Sequence, residues 1–235
     1  MAAPALPQSV WAVVPVKRFD RAKQRLARVL GGAERAALAA AMLGDVLEQI
    51  AATSGFAGTL VVSGDPEAAT IGQAFGATAV ADPLDAGTNA AVGHGIRACA
   101  ASDASGVMVI PGDIPFVTRA ELTRVLAALR QAPVVLVPAL RDGGTNLLGL
   151  SPPGVIAPAF GAGSFARHRT AARDFQPIVL PLDGAGHDID TPDDLAIAPN
   201  VAQSGSGRRT LACLERFGRP LLRLPTQRLE RATPP

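Results

Sequence analysis

The chain's only two lysines, Lys17 and Lys23, fall in one short window, Lys17-Arg18-Phe19-Asp20-Arg21-Ala22-Lys23, although the sequence carries 22 Lys and Arg residues in all. An ammonium is a compact point charge, suited to a phosphate group that changes shape as it reacts, whereas the arginine fork suits a planar partner. The plain alternative is a solvated basic turn. Neither G-x-x-x-x-G-K-[ST] nor G-x-G-x-x-G occurs here, so the window is neither a Walker loop nor a dinucleotide fingerprint. Acids gather at two other places. Ile110-Pro111-Gly112-Asp113-Ile114-Pro115 sets a carboxylate on a Gly-Asp turn at the end of an apolar run. That position suits Mg2+, which takes one or two carboxylates together with phosphate oxygens; a solvated Asp in an ordinary turn is the competing reading. In His187-Asp188-Ile189-Asp190-Thr191-Pro192-Asp193-Asp194-Leu195, period-2 spacing puts Asp188 and Asp190 on one side of an extended segment. Two such carboxylates repel unless something positive lies between them, and a divalent ion is the economical answer. Asp193 and Asp194 are explained by the helix start at Thr191-Pro192, where acids favour the dipole.

Three glycine-bearing stretches complete the set. In Asp82-Pro83-Leu84-Asp85-Ala86-Gly87-Thr88-Asn89, Gly87 lets backbone approach a ligand, and Thr88 or Asn89 is a candidate helix cap. Asp142-Gly143-Gly144-Thr145-Asn146 and Phe160-Gly161-Ala162-Gly163-Ser164-Phe165 each offer amides and a hydroxyl, and the second leads into a helix whose N-terminus favours an anion. Small polar residues beside backbone N–H groups suit a small phosphorylated acid; read alone, each stretch is an ordinary Gly-rich turn.

These clusters follow short β-branched runs that alternate with Ala/Leu-rich stretches. Strands are expected at 10–16, 59–63, 77–81, 107–110, 134–138, 146–150 and 178–180, and helices at 34–53, 66–75, 89–101, 119–130 and 164–173, the 89–101 helix weakened by Gly93 and Gly95. The alternation indicates an α/β fold with a mostly parallel sheet flanked by helices on both faces. Open sheets of that kind bind ligands outside the carboxyl ends of their strands, where the clusters lie.

At 235 residues, 48% hydrophobic and 18% charged, the chain can bury one large core, which excludes general disorder. Aromatic residues are only 4%, with no Tyr and a single Trp, so base stacking on aromatic platforms is not expected. The net charge of +2 is uneven: residues 201–235 hold seven arginines against two glutamates, leaving the body over 1–200 acidic. The core is therefore not expected to bind nucleic acid, while the basic tail at 201–235, joined through a flexible Gln203-Ser204-Gly205-Ser206-Gly207, leaves room for a partner or self-association. Leu211, Leu214 and Phe217 are spaced as one face of a short helix within it. Cys99 and Cys213 read as reduced core thiols. The first residues lack a basic n-region, and no apolar run approaches bilayer length, so neither a signal peptide nor a membrane span is expected and the protein is placed in the cytoplasm.

Taken together, Val14-Pro15-Val16-Lys17, Arg21-Ala22-Lys23-Gln24-Arg25-Leu26, Gly87-Thr88-Asn89-Ala90-Ala91, Pro111-Gly112-Asp113-Ile114-Pro115, Gly143-Gly144-Thr145-Asn146, Phe160-Gly161-Ala162-Gly163-Ser164-Phe165 and Asp188-Ile189-Asp190-Thr191-Pro192 resemble the CofC/FbiD guanylyltransferases of deazaflavin coenzyme F(420) biosynthesis. The resemblance covers about 10–195 in consistent order, with the basic stretch after about 200 outside it. It implies a GT-A-like nucleotidyltransferase fold and transfer of GMP from GTP to 2-phospho-L-lactate, phosphoenolpyruvate or 3-phospho-D-glycerate, with release of pyrophosphate. By the same resemblance Lys17 and Lys23 neutralise the triphosphate, with Pro15 and Arg25 on the nucleotide side. Asp113, Asp188 and Asp190 hold Mg2+, and Asp113 serves the transfer itself. Thr145, Gly161 and Ser164 bind the acid, and Pro83, Asn89 and Pro111 line the guanine and ribose side. A sugar-phosphate nucleotidyltransferase, a GT-A glycosyltransferase and a non-catalytic nucleotide sensor are the alternatives; the opening Val-Pro-Val-Lys lacks the Gly-rich loop of the first, and the three carboxylates speak against the sensor.

Overall fold

A computed structural model describes residues 9–82, 84–202 and 205–218. Seven strands, β1 (Val10–Val16), β2 (Phe56–Ser63), β3 (Thr78–Ala81), β4 (Gly106–Val109), β5 (Val134–Pro138), β6 (Thr145–Leu150) and β7 (Ile178–Val179), form one sheet in the order β3-β2-β1-β4-β6-β5-β7. β6 runs antiparallel to both its neighbours and every other pairing is parallel. Its reversal brings the start of β6, at Thr145, to the rim where β1 and β4 end. Side chains alternate between two cores as a pleated strand requires. Ala12, Val14, Val61 and Met108 face one layer, built on α1 (Gly32–Ala51), α4 (Arg119–Leu129) and the C-terminal helices. Val13, Val62, Val107 and Val109 face the other, built on α3 (Thr88–Ala101), with Ala172 and Phe165 from the segment of α5 (Ser164–Ala171). α2 (Pro66–Ala74) bridges β2 and β3, and α6 (Pro192–Val201) and α7 (Arg208–Arg216) close the chain.

The expected elements are present, with two local differences. β2 begins at Phe56, ahead of the β-branched run, and Gly87 flanks α3, so neither Thr88 nor Asn89 caps it. Gly95, read as a weakness, has a packing reason: a Cβ there would collide with Cγ1 of Val13, so the missing side chain lets α3 lie against β1.

The expected short helix after the Gly-Ser joint is α7, and it is docked on α1. Asp45, in the middle of α1 and 2% exposed, accepts the backbone N–H groups of Arg209 (2.9 Å) and Thr210 (2.8 Å). That supplies the carboxylate a helix N-terminus calls for. Cys213 and Leu214 are buried beneath it, and Arg209 reaches Glu48 at 2.6 Å while lying over the Phe75 ring. Residues 219–235, with the remaining tail arginines, lie outside the described residues. Both cysteines are free and buried, and no helix among the described residues is long and apolar enough to cross a membrane.

Candidate active site

β1 delivers the chain to the rim at Lys17, and two 3-10 turns, Phe19–Arg21 and Gln24–Leu26, follow. Phe19, Ala22 and Leu26 are buried and root this basic loop in the core. Asp65 fixes its start, accepting the Phe19 N–H at 2.7 Å while also capping α2 through the Glu67 N–H at 2.9 Å. Between the turns Lys23 adopts a left-handed backbone (φ 52°, ψ 42°), and its side chain is only 6% exposed. Its Nζ donates to Asp113 Oδ2 at 2.8 Å and to Asp190 Oδ1 at 2.7 Å. Burial disfavours the ammonium, but the charges and hydrogen bonds of Asp113 and Asp190 outweigh it and hold the Lys23 pKa above the usual lysine range.

The two acids meet at Lys23 because their loops are joined. The Ile189 N–H donates to the Asp113 carbonyl at 3.1 Å, which ties the turn after β4 to the strand-like 188–190 segment. Thr191 caps α6, and the Asp194 carboxylate accepts the N–H groups of Asp190 (3.0 Å) and Thr191 (2.7 Å), closing a capping box just behind Asp190. Arg141 in turn holds Asp194 at 2.7 Å.

A cleft of about 170 Å3 opens over this arrangement, with Pro15, Lys17 and Lys23 on one wall, Pro111, Asp113 and Asp190 on the other. It continues past Lys17 and Thr88 into a smaller recess lined by Asp82, Asp85 and Gly87 at the end of β3. Lys17 is exposed and, unlike Lys23, has no ion pair among the described residues. For Asp190, burial opposes the charge, but Lys23 first, then Arg25 and Lys17, bring its pKa below the usual carboxylate value. Asp188 goes the other way. Burial, then the charges of Asp113 and Asp190, push it up to about 6. It lies 3.5 Å from Asn146 Nδ2, which also donates to the Ala185 carbonyl at 3.0 Å. Among the described residues no three acids or other ligating groups are gathered as a metal cage; between Asp113 and Asp190 stands the Lys23 ammonium.

Pro15, Lys17, Lys23, Pro111, Asp113 and Asp190 thus come together as the sequence suggested. Arg25 is exposed, with its guanidinium 3.9 Å from Asp190. Asn89 is exposed, and its amide accepts the Phe160 N–H at 2.7 Å and donates to the Phe160 carbonyl at 3.1 Å, joining α3 to the 160–164 loop. Thr145 and Ser164 are buried and bonded to each other, Thr145 N–H to Ser164 Oγ at 2.8 Å, while Gly161 is exposed with φ +110°. Pro83 lies outside the described residues. Sequence reasoning placed Asp194 at the helix start where it is found and quoted Asn146 only within its glycine-rich stretch, and it missed Asp65 and His168. Asp65 had a usable signal, as an acid directly before Pro66 at a helix start, and so had His168, since residues 164 and 168 share one helix face.

The family model of CofC-like guanylyl transferases matches residues 10–220, so the family pattern runs through α7 and not only to residue 195 or so. A phosphoenolpyruvate guanylyltransferase of Conexibacter woesei is 38% identical over 203 residues, 85% of this chain and 91% of that protein. A 3-phospho-D-glycerate guanylyltransferase of Phenylobacterium zucineum is 37% identical over 211 residues, 86% and 94% of the two chains. Among solved structures, a chain from Desulfovibrio desulfuricans G20 described as a nucleotide-diphospho-sugar transferase superposes with a TM-score of 0.70 at 22% identity, covering 91% of this chain and 96% of its own. That likeness concerns the fold, a nucleotidyltransferase α/β sheet. With a family match spanning nearly all of the described residues, the protein belongs to the CofC-like guanylyl transferases.

Proposed function

We propose that this guanylyltransferase moves GMP from GTP onto the phosphate of a three-carbon phosphorylated acid, phosphoenolpyruvate, 3-phospho-D-glycerate or 2-phospho-L-lactate, in coenzyme F(420) biosynthesis. The observation that supports the reading is one cleft that gathers Lys17, without an ion pair among the described residues, and Lys23, bound between Asp113 and Asp190. In the reaction a phosphate oxygen of the acid attacks the α-phosphorus of GTP, a new P–O–P bond forms, and the bond to the β-phosphate breaks as pyrophosphate leaves. A phosphate ester has a second pKa of about 6 and is already mostly dianionic at neutral pH, so no general base is required. Transfer is direct and in line, without a covalent enzyme intermediate.

What the protein must overcome is repulsion between two polyanions, and fixed positive groups aimed at the developing charge are the usual remedy. On this reading Lys17, without an ion pair among the described residues, takes the triphosphate, and Lys23 lines the same cleft, bonded to Asp113 and Asp190. The donor set of Asp113, Asp188 and Asp190 fits Mg2+: all are hard carboxylate oxygens, and Asp188 is short of positive charge. Mg2+ commonly binds through one or two carboxylates plus substrate phosphates and water, so a cage of three protein ligands, which the described residues do not form, is not required. When bound, it supplies positive charge to the triphosphate oxygens. On this reading Thr145 and the 161–164 loop shape the acid site, with Gly161 exposed and Thr145 and Ser164 buried and bonded to each other.

The test is incubation with GTP, Mg2+ and each acid in turn, reading pyrophosphate release and product mass. The expected result is release with at least one acid and a product heavier by GMP. GTP binding without release from any acid would instead favour a nucleotide sensor.

A further inference from the structure

One ionisable side chain outside the cleft is wholly buried and bonded at both polar atoms, and the proposed reaction leaves it unused. His168 of α5 is 0% exposed. Its Nε2 lies 2.9 Å from the Ala159 N–H, which donates to it, so that nitrogen carries no proton and Nδ1–H is left to donate to Thr145 Oγ1 at 2.9 Å. Burial, with the neighbouring Arg167 charge, lowers its pKa to about 4, in keeping with a neutral ring at physiological pH. The ring edge packs on Phe160, centroids 5.1 Å apart at 73°, and the Phe160 backbone is the segment that Asn89 clasps. Thr145 is bonded in turn to Ser164, and the Phe165 N–H donates to the Gly143 carbonyl at 3.2 Å. One imidazole therefore spans the gap between the first residue of β6 and the loop that leads into α5.

We infer that His168 is a positioning residue: it holds Thr145 and the 161–164 loop at a fixed spacing and thereby sets affinity for the phosphorylated acid without touching it. The inference rests on the reading above that these two elements take the acid. A rigid ring with a donor on one edge and an acceptor on the other is what the gap requires. Asn reproduces the Nδ1 edge alone, Gln the Nε2 edge alone, and Phe fills the space with neither.

The experiment compares the full-length protein with His168→Asn, His168→Gln and His168→Phe. Pyrophosphate release is measured with the acid varied at saturating GTP and with GTP varied at saturating acid, and thermal melts establish folding. A buried hydrogen-bonding group left unpaired costs enough to shift an affinity by roughly tenfold or more. The expected result is a KM for the acid raised about tenfold or more in the Phe variant and by a smaller factor in Asn and Gln, each of which keeps one bond. kcat and the KM for GTP should stay within about twofold, a split that general loosening of the fold would not give. Should the Phe variant fail to fold, the Asn and Gln variants carry the comparison. An unchanged acid KM in folded variants, or equal rises for acid and GTP, would overturn the inference while wild-type turnover left the function standing. Absence of wild-type turnover with every acid would remove the function and this inference with it.

Discussion

Replacing Lys23 by Met keeps the length and left-handed backbone of the loop and deletes only the ammonium. In the intact protein that group is within 2.8 Å of Asp113 and 2.7 Å of Asp190. Removing one partner from a fully buried pair costs about 3–5 kcal/mol, chiefly because the charge left behind has no compensation. Here the acids are 36% and 37% exposed, so water screens part of the repulsion and the loss shrinks to about 2 kcal/mol. Urea unfolding in EDTA at pH 7.5 is the assay; at a slope of about 2 kcal/mol/M the midpoint should fall by about 1 M with the slope unchanged. The loss should fade on acidification, because protonation removes the negative charge that the missing ammonium leaves uncompensated. Added Mg2+ should stabilise the variant more than the wild type, since no ammonium competes for the acids. Lys17→Met, with no ion pair to lose among the described residues, should leave the midpoint unchanged in EDTA while weakening GTP turnover. Equal stability of Lys23→Met and wild type in EDTA, or a deficit that persists unaltered to pH 4, would refute the assignment of Lys23 as the counter-charge of this cluster.

Asp190→Asn should lower kcat by about 100-fold or more, as removal of one charge-stabilising group commonly does, and steady-state pyrophosphate release checks it. Ending the chain after Gly218 should leave turnover and melting nearly intact, whereas ending it after Val201 removes Cys213 and Leu214 of α7, strips Asp45 of the Arg209 and Thr210 N–H groups, and should lower the melting temperature by several degrees. His168, with its pKa lowered from 6.5 to about 4, stays neutral in the fold while the unfolded chain takes up a proton, so stability is lost as pH falls through that window. The contribution is about 3 kcal/mol between pH 7 and 4, and His168→Asn should show a correspondingly flatter stability curve in denaturant titrations.

The strands and helices were legible because their signals are local. β1 and β5 occupy the expected 10–16 and 134–138, and Thr191-Pro192 starts α6 as its cap chemistry indicates. Direction and docking were not. The run in β6 is apolar on both faces and carries no mark of its orientation, and the Leu211, Leu214 and Phe217 face names no partner until Asp45 is seen beneath the helix. Asp45 itself sits in mid-helix, where the sequence offers no cue for an acceptor. Within the site, Lys17, Lys23, Asp113 and Asp190 stood out because charged groups at strand ends have few structural reasons to be there. That Lys23 is clamped while Lys17 has no ion pair among the described residues depended on burial of Phe19 and Leu26 around a left-handed residue, a tertiary fact. Asn89 was legible as polar and well placed, yet the nearby Phe160 backbone claims both ends of its amide.

The reversed strand has a consequence for how such an enzyme changes its diet. On the proposed assignment, the nucleotide side is assembled from crossover connections after β1, β3 and β4, whose loops also start helices and cannot shift without disturbing the core. The acid side begins on a β5–β6 hairpin, whose connecting residues 139–144 join two adjacent antiparallel strands and serve no crossover. On that assignment residues 142–144 can be exchanged with little effect on GTP handling, whereas Arg141, which holds Asp194 behind Asp190, cannot. If the proposed assignment holds, acceptor preference can change through residues 142–144 while the donor side keeps its crossover frame.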